Sequence, residues 1–530
     1  MRALAFAIAA LVVPAALAAE TTTRGGAGPG SANAVVADAA ALYATHCASC
    51  HGADREGETG PALLPDSLER LRKAAAVTTI THGRVATRMP AFDDRLTSDE
   101  IGALAAFLYQ SPARLPQWTG REIAASRIEY VRPGSLPAKA VFAADPENLF
   151  VVVESGDHHV TVLDGDRFEP IARFASRYAL HGGPKFSPDG RYVYFASRDG
   201  WVSLYDLWNL TLVAEIRAGL NTRNLAVSSD GRYVLVGNTL PQTLVMLDAR
   251  DLALLRVIPV LDGEGHPSRV SAVYDAPPRE SFVVALKDVP ELWELPYGER
   301  TGPVYAGLVH DYRMAEALAS PRPYAIRRTR LAAVLDDFFF DPSYTHVIGA
   351  ARDASAAEVV NLDVRRAIAT IDLPGLPHLA SGITWHWHGR RVLATPNLKE
   401  ARVTVIDMTT WKTVAQIPTA GPGFFLRSHE STPYAWVDAF NGPKNDVLQV
   451  IDKRTLEVVA TLTPSPGKPA AHVEFTRDGR YALASVWADD GAVVVYDAQT
   501  LREVKRIPMV RPSGKYNVYN KTMRSTGTSH

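Results

Sequence analysis

The feature that most constrains the fold of this 530-residue chain is a β-rich unit that recurs after residue 137. The tetrapeptide Asp-Gly-Arg-Tyr occurs at 189–192, 230–233 and 478–481, and each copy leads into a hydrophobic strand pattern. In most units a second strand follows and ends in an aspartate, as in Val202–Asp206. Related or weaker turns, which complete a set of eight units of roughly 40 to 60 residues, occur at 145–146, 278–280, 341–342, 388–389 and 431–433.

Repeats of this length, built of four short strands, predict an eight-bladed β-propeller. One blade cannot bury both of its faces alone, whereas a ring of blades buries them all and leaves only short edges. An open β-solenoid is the alternative. We therefore expect an all-β propeller over residues 138–530, with its functional site at the axial mouth, where loops from several blades converge.

A second feature, Cys47-Ala-Ser-Cys50-His51, has the C-x-x-C-H pattern of covalent haem c attachment. The two thiols would bond the haem vinyl groups, and the adjacent imidazole would bind the iron. These are the only cysteines in the chain, and a zinc site needs more ligands than this pair supplies. A structural disulfide or a thioredoxin-like redox pair is the alternative interpretation, which the adjacent histidine disfavours.

The N-terminus predicts export. Residues 1–19 combine a basic start at Met1-Arg2, an apolar run and a small-residue cleavage site at Ala16-Leu17-Ala18, as a signal peptide does. No later segment is apolar enough to span a bilayer, so we expect no membrane span in the mature protein. Haem c is attached outside the bacterial inner membrane, which makes the periplasm the consistent compartment. A net charge of −1 gives no support for nucleic acid as a partner.

Residues 35–112 predict a small all-α haem domain, between a flexible linker at 20–34 and a connector at 113–137. Apolar residues recur at helical spacing before the haem motif and again over 99–110. Met89, in a Met-Pro turn 38 residues after the motif histidine, resembles the distal ligand of class I cytochromes c. His82 and His46 are alternative ligands.

A haem c domain followed by an eight-bladed propeller resembles the cytochrome cd1 family, and the resemblance covers nearly all of the mature chain. Two relatives share this layout: cytochrome cd1 nitrite reductase and dihydro-heme d1 dehydrogenase, the last enzyme of haem d1 biosynthesis. The resemblance implies a non-covalent d1-type haem in the propeller. On this basis His181, in Tyr178-Ala-Leu-His181, is the expected iron ligand, and Arg223 is expected to meet the tetrapyrrole carboxylates.

The resemblance also separates the two relatives. His378, in Leu376-Pro-His378, matches one of two distal histidines of the reductase, but the segment that matches the other is Leu335–Phe339, which has no histidine. Because the reductase uses the paired imidazoles to help protonate nitrite, the absence of one of them disfavours nitrite reduction. The segment that contains His472 looks closer to the dehydrogenase, whereas Tyr516 lies in a segment similar to the tail of the reductase.

The resemblance therefore implies a periplasmic oxidoreductase that converts a propionate of dihydro-heme d1 to the acrylate of haem d1 and passes the electrons to haem c. His378, His472 and Tyr516 are the expected catalytic residues. Nitrite reductase, a non-catalytic haem d1 carrier and an electron-transfer cytochrome with a docking propeller are the alternatives. Expected partners besides the tetrapyrrole are the nitrite reductase, as recipient of the product, and a soluble electron acceptor. A basic cluster over 327–330 is a further candidate for contact with the substrate.

Overall fold

The computed structural model describes residues 30–524 apart from 69–70, 85–88, 114–116, 133, 181, 306–318 and 352–354, with side chains from 38 to 522. Its α-helices all lie in the N-terminal part. They are α1 Gly30–His46, α2 Ala48–His51, α3 Pro65–Leu68, α4 Lys73–His82, α5 Ser98–Leu108 and α6 Gly120–Ala125. Helix α1 begins inside the segment predicted as linker. No helix in the described ranges combines the length and apolar character that a membrane crossing requires.

The helical domain is organised around α5, which packs against α1 and α4. A capping box begins α5: the Thr97 hydroxyl accepts from the backbone N–H of Glu100, and the Glu100 carboxylate accepts from the backbone N–H of Thr97 at 2.8 Å. The apolar face of α5 is buried together with Tyr43 and Phe92. The helix that apolar spacing predicted over 99–110 is therefore present, and it supplies the core of this domain.

The rest of the described chain is almost entirely β-structure. The strands are β1 Ile128–Glu129, β2 Leu149–Glu154, β3 His159–Asp164, β4 Glu169–Ala175, β5 Lys185–Phe186, β6 Tyr192–Ala196, β7 Trp201–Asp206, β8 Thr211–Arg217, β9 Asn221–Val227, β10 Tyr233–Leu240, β11 Thr243–Asp248, β12 Leu254–Pro259, β13 Val270–Ala276, β14 Ser281–Leu286, β15 Glu291–Pro296, β16 Arg327–Arg330, β17 Asp337–Phe340, β18 His346–Ala350, β19 Ala356–Asn361, β20 Arg366–Asp372, β21 Ile383–Trp387, β22 Arg390–Pro396, β23 Arg402–Asp407, β24 Lys412–Pro418, β25 Leu426–Ser428, β26 Tyr434–Asp438, β27 Leu448–Asp452, β28 Glu457–Leu462, β29 Ala470–Phe475, β30 Tyr481–Val486, β31 Gly491–Asp497, β32 Glu503–Met509 and β33 Pro512–Asn517.

These strands form eight antiparallel sheets, the blades of the predicted propeller. Seven sheets have four strands, and the eighth adds β1 at the edge of β5–β8. The first strands of neighbouring blades contact one another, and their residues are mostly buried. Along the fourth strands, exposed residues alternate with partly buried ones. The first strands are therefore the innermost. The last strand, β33, pairs with β2 and places Tyr516 opposite Val151. This pairing of the two ends of the β-region closes the ring and excludes the open solenoid.

The repeated tetrapeptide has a structural role within the blade. Gly190 turns the chain between β5 and β6 at φ +72°, a conformation that suits glycine. Arg191 then donates to the carboxylate of Asp206 at 2.7 Å, which ends the third strand of the same blade. The same carboxylate caps the next turn by accepting the backbone N–H of Trp208 at 2.9 Å. The side-chain link belongs to this copy, but in all three copies the carbonyl oxygen of the motif arginine accepts the backbone N–H of the residue after the strand-ending aspartate, at 2.8–3.0 Å, so the motif ties the two turns of its blade together.

Arginines of the propeller blades bind the helical domain to the propeller. Arg217, at the end of β8, donates to the carbonyl oxygen of Glu56 at 3.0 Å, and its guanidinium lies 4.9 Å from the centre of the Trp118 ring. Arg269 reaches the carbonyl oxygen of Asp66 at 3.4 Å. These contacts hold the loop and the short helix α3, which follow the C-x-x-C-H motif, against the β-region.

Candidate functional site

The first candidate site is the C-x-x-C-H segment. Cys47 precedes the short helix α2, and the backbone N–H groups of Cys50 and His51 both bond to the Cys47 carbonyl oxygen, at 3.1 and 2.9 Å. This single turn holds two thiols and one imidazole on a short rigid segment. Both cysteines are free thiols rather than a disulfide, so both remain able to form thioether bonds.

The His51 ring is fixed in the form that an iron ligand needs. The ring is buried, and its Nδ1 atom lies 2.8 Å from the carbonyl oxygen of Pro61. Because a carbonyl oxygen only accepts, Nδ1 carries the proton and Nε2 keeps its lone pair. Burial also lowers the pKa of His51, which favours the neutral ring. A Cβ at Gly60 would lie 2.6 Å from Cε1 of this ring, so only glycine permits the arrangement. These residues fit covalent haem c.

Met89 is the candidate for the second axial position. Its side chain is partly buried and packs on the apolar cluster that contains Tyr43 and Phe92, as a thioether ligand in a haem pocket requires. The alternatives are placed differently. His82 is 67% exposed beside Asp93, and the His46 ring packs edge-on against Phe92 at 6.3 Å. Residues 85–88, just before Met89, lie outside the described part of the chain.

In the propeller, the candidate residues lie on the innermost strands of different blades. Arg223 is on β9, His472 on β29 and Tyr516 on β33, while His378 directly precedes the short helix that leads into β21. His181, the expected iron ligand, is outside the described residues. Because innermost strands surround one axis, positions far apart in the sequence come together there.

His378, His472 and Tyr516 are joined through one aromatic ring. The Phe425 ring lies 6.2 Å from the His378 ring and 4.7 Å from the His472 ring, measured between centres. The His472 ring in turn lies 5.0 Å from the Tyr516 ring. The three residues predicted to be catalytic therefore share one continuous wall, with Phe425, which sequence reasoning missed, at its centre.

The His378 ring is oriented by the backbone of the next blade. Its Nδ1 atom lies 2.6 Å from the carbonyl oxygen of Phe424, so Nδ1 carries the proton and the lone pair is on Nε2. Burial lowers the pKa of His378, although the Asp337 carboxylate opposes this change. The residue is thus a neutral imidazole with a free acceptor nitrogen at neutral pH.

His472 is the most unusual of the three. It is 1% exposed, and neither ring nitrogen has a hydrogen-bond partner among the described residues. Buried polar atoms without partners are costly, so such a pair of nitrogens indicates a ligand site. Burial first, and then the nearby cations Lys515, Arg427 and Lys521, hold the pKa of His472 well below its usual value.

Arg223 is held beside a carboxylate. Its Nε atom donates to the carbonyl oxygen of Ser271 at 2.6 Å, and Nη2 lies 4.0 Å from Asp337. Asp337 also accepts from the Tyr274 hydroxyl at 2.7 Å. Asp337 belongs to the segment that lacks the second distal histidine, so an anchored carboxylate is present in that part of the site.

The site also contains cations that sequence reasoning missed. Burial lowers the pKa of Lys185 to about 7 and that of Arg198 to about 9. Arg427 is 4% exposed, and its Nε atom has no hydrogen-bond partner within the described ranges. Buried positive groups require compensating charge, so their concentration fits an anionic ligand rich in carboxylates, as a d1-type tetrapyrrole is. In the sequence these cations are isolated basic residues: Lys185 and Arg427 lie on short strands, and Arg198 lies between two strands.

The basic cluster over 327–330 does not join this site. It forms β16, the fourth and outermost strand of its blade. Arg328 pairs there with Glu291 at 3.0 Å, and Arg327 lies 3.5 Å from Glu294. These arginines neutralise carboxylates of the neighbouring strand, so the suggestion that they contact the substrate is not supported.

Comparison with known families agrees with this arrangement. Residues 144–307 and 309–521 match the cytochrome D1 heme domain family. Residues 34–108 match the family of the cbb3-type cytochrome c oxidase subunit III. The two matched regions contain the propeller site and the C-x-x-C-H segment, respectively.

The individual relatives differ widely in their sequence identity to this chain. The dihydro-heme d1 dehydrogenase of Pseudomonas aeruginosa is 60% identical over 92% of this chain and 95% of its own length. The nitrite reductase of Stutzerimonas stutzeri is 26% identical over 90% of this chain and 92% of its own. A solved structure of dihydro-heme d1 dehydrogenase NirN in complex with DHE has a TM-score of 0.80 at 59% identity and covers 92% of this chain and 100% of its own. The chain therefore belongs to the cytochrome D1 heme domain family and, within it, to the dihydro-heme d1 dehydrogenases.

Proposed function

We propose that this protein dehydrogenates dihydro-heme d1 to haem d1 and transfers the electrons to its own haem c. The observation that carries the proposal is a pair of neutral imidazoles: the partly buried His378, whose Nδ1 proton is fixed by the Phe424 carbonyl oxygen, and the buried His472, whose two ring nitrogens have no hydrogen-bond partner among the described residues. The surrounding cations suit the carboxylates of a tetrapyrrole. The 60% identity to a dihydro-heme d1 dehydrogenase supports the same reaction.

The chemistry sets what the site must do. A propionate side chain loses one hydrogen from each of two carbons, a carbon–carbon double bond forms, and two protons and two electrons leave. When bound, haem c supplies a one-electron acceptor, so the reaction needs two single-electron transfers or a second acceptor. The protein groups must remove the protons and hold the side chain in place.

Neutral imidazoles are suited to take the protons. Because their pKa values are lowered, both His378 and His472 are unprotonated at neutral pH and can act as general bases. Tyr516 has a different role. Burial raises its pKa to about 12, so its hydroxyl keeps its proton and would orient the substrate by donating a hydrogen bond. Arg223 and Arg427 would hold carboxylates, and His181 would bind the tetrapyrrole iron.

Location and partners complete the proposal. The N-terminal pattern at residues 1–19 supports export to the periplasm, where haem c is attached. A d1-type product would pass to the nitrite reductase that uses it, and a soluble acceptor would reoxidise the protein. These partners are inferred from the chemistry of the product and of the electrons.

The test is an anaerobic single-turnover reaction. We would mix dihydro-heme d1 with the oxidised, haem c-loaded protein, follow haem c reduction in the visible spectrum, and weigh the extracted tetrapyrrole. A product two mass units lighter, with reduced haem c, is expected. The double variant C47S/C50S, which lacks attached haem, is the matched control and should bind without turnover. Tight binding with neither reduction nor mass change would instead indicate a carrier, and rapid nitrite turnover would indicate a nitrite reductase.

A further inference from the structure

His472 occupies an irregular part of its strand. In the pairing of β29 with β30, Ala471 is opposite Ser485 and Glu474 is opposite Leu483, so the two residues between them interrupt the regular register. His472 has φ +54°, a left-handed conformation that is unfavourable for a residue with a side chain. Such bulges redirect a side chain, and the conformation persists only when surrounding groups fix it.

The group that fixes it is Lys515. This residue lies on β33 and is fully buried, at 0% exposure. Its Nζ atom donates to the carbonyl oxygen of His472 and, at 2.9 Å, to the hydroxyl of Ser485. One amine thus connects three strands, β33, β29 and β30, at the bulge itself. Burial of a lysine is costly, and an apolar side chain would fill the same volume without that cost.

We propose that Lys515 is a positioning residue, which holds the His472 backbone in its bulged conformation and thereby presents the imidazole to the tetrapyrrole. The inference rests on the proposed function, in which His472 is a general base. Lys515 does not itself contact the reacting carbons. It acts through the carbonyl oxygen of His472, which the bulge removes from the regular hydrogen bonding between β29 and β30.

The charge of Lys515 has a second effect on the same histidine. The charged and titratable groups that face His472 are Lys515 and Tyr516 from β33, Arg427 from β25, Lys521 from the turn after β33, Glu474 from its own strand and Asp438 from β26. Burial holds the pKa of Lys515 itself well below its usual value, but in its protonated form the amine opposes protonation of the imidazole, and K515M removes that opposition. The pH below which His472 is protonated should therefore rise.

The experiment compares K515M, H472A and the double variant H472A/K515M with the wild-type holoprotein. Because small misplacements of a catalytic group are costly, K515M should slow single-turnover haem c reduction by about 10- to 100-fold. Its affinity for dihydro-heme d1 should stay within about threefold of the wild-type value, since binding and catalysis separate for a positioning residue. The acidic limb of its pH–rate profile should move to higher pH.

The matched control is K453M. Lys453 also donates to the backbone carbonyl of a histidine, His429 at 3.1 Å, but outside the site, so its rate should equal that of the wild type. In the H472A background, K515M should add less than about a twofold loss, because both changes act through one group. An equal loss in both backgrounds, or an unchanged K515M rate, would overturn the positioning role.

Two further measurements keep the inference falsifiable. If K515M does not fold, K515Q keeps an amide donor for the His472 carbonyl and should recover part of the rate. If the wild-type protein does not reduce haem c at all, the proposed function fails. The crystal structure of K515M then decides the positioning role, since an unchanged φ and ring position of His472 would overturn it.

Discussion

The Nδ1 atom of His378 lies 2.6 Å from the carbonyl oxygen of Phe424, and the Nδ1 atom of His51 lies 2.8 Å from that of Pro61. In both rings the carbonyl oxygen fixes the proton on Nδ1 and leaves the lone pair on Nε2. The same arrangement leaves Nε2 of His51 available for the haem iron and, on the proposed function, Nε2 of His378 available for a substrate proton. Sequence gives no indication of either carbonyl partner, since one is 10 residues away and the other 46.

Replacement of His378 should separate binding from turnover. We expect H378A to reduce the rate of haem c reduction by about 100-fold or more, the usual contribution of a general base. Tetrapyrrole binding should largely persist, because the cations that meet carboxylates are unchanged. Absorbance titration and anaerobic stopped-flow measure the two quantities separately. The exposed His386 provides the control, as H386A should behave as the wild type. Full activity of H378A would remove it from the catalytic role.

Replacement of Met89 should change the haem c potential. M89L keeps an apolar side chain of similar volume but removes the thioether, which favours reduced iron. The midpoint potential should therefore fall, by on the order of 100 mV, and electron uptake from the substrate should slow. Spectroelectrochemical titration measures the change. H82A should leave the potential unaltered, and a changed potential in H82A but not in M89L would assign the ligand to His82.

The sequence predicts the fold well because the fold is repetitive. Each Asp-Gly-Arg-Tyr turn is a local signal, and eight sheets with ring closure by β33 confirm the propeller. The signal for the cytochrome domain is equally local, since the C-x-x-C-H motif spans only five residues. The family assignment is confirmed by the 60% identity to a dihydro-heme d1 dehydrogenase.

The composition of the propeller site is less accessible to sequence reasoning. Arg427 and Lys515 are single basic residues on strands far apart in the sequence, β25 and β33, and only closure of the ring brings them to His472. The adjacent arginines over 327–330 formed a clearer pattern but lie on an outer strand. Basic residues that are close along the chain are therefore a poor guide to a site that is assembled from the inner strands of different blades. The histidines could be selected only through the resemblance to relatives.

The free energy of unfolding should depend on pH through Asp438, which holds the segment Phe424–Phe425 before β25. The Asp438 carboxylate accepts from the backbone N–H groups of Phe424 at 2.7 Å and Phe425 at 2.9 Å. Burial nevertheless raises its pKa from 3.8 to about 6. A raised pKa means that the folded state favours the protonated form. This contribution to stability is fully present below pH 3.8 and is lost as the pH rises through about 6.

The asparagine of D438N cannot titrate, so the variant should lose less stability than the wild type as the pH rises from 3.8 through about 6. The difference in unfolding free energy, wild type minus variant, should shrink between pH 4 and pH 7 by about 1–3 kcal/mol. Denaturant unfolding at several pH values measures it. The exposed Asp372 offers a control, because D372N should give a pH-independent difference. A difference that grows with pH would contradict the raised pKa.

Arg217 should determine how firmly the haem c domain is seated on the propeller. Its guanidinium donates to the carbonyl oxygens of Glu56 at 3.0 Å and Asp199 at 2.8 Å, and it lies over the Trp118 ring. R217A removes the donors to Glu56 and Asp199 and the ring contact, so the domain should separate from the blades more often. Limited proteolysis in the connector over 113–137 should then become faster.

The same change should affect electron transfer without affecting either site. Because electrons must cross from the propeller to haem c, we expect R217A to slow haem c reduction by about 3- to 10-fold, as loosened positioning does. The haem c potential and the affinity for the tetrapyrrole should not change. R256A is the control. Arg256 is on the outer strand β12, and its guanidinium lies over the Tyr324 ring. Among the described contacts it makes no bond to the helical domain. An unchanged rate in R217A, together with faster proteolysis, would mean that domain seating does not limit electron transfer.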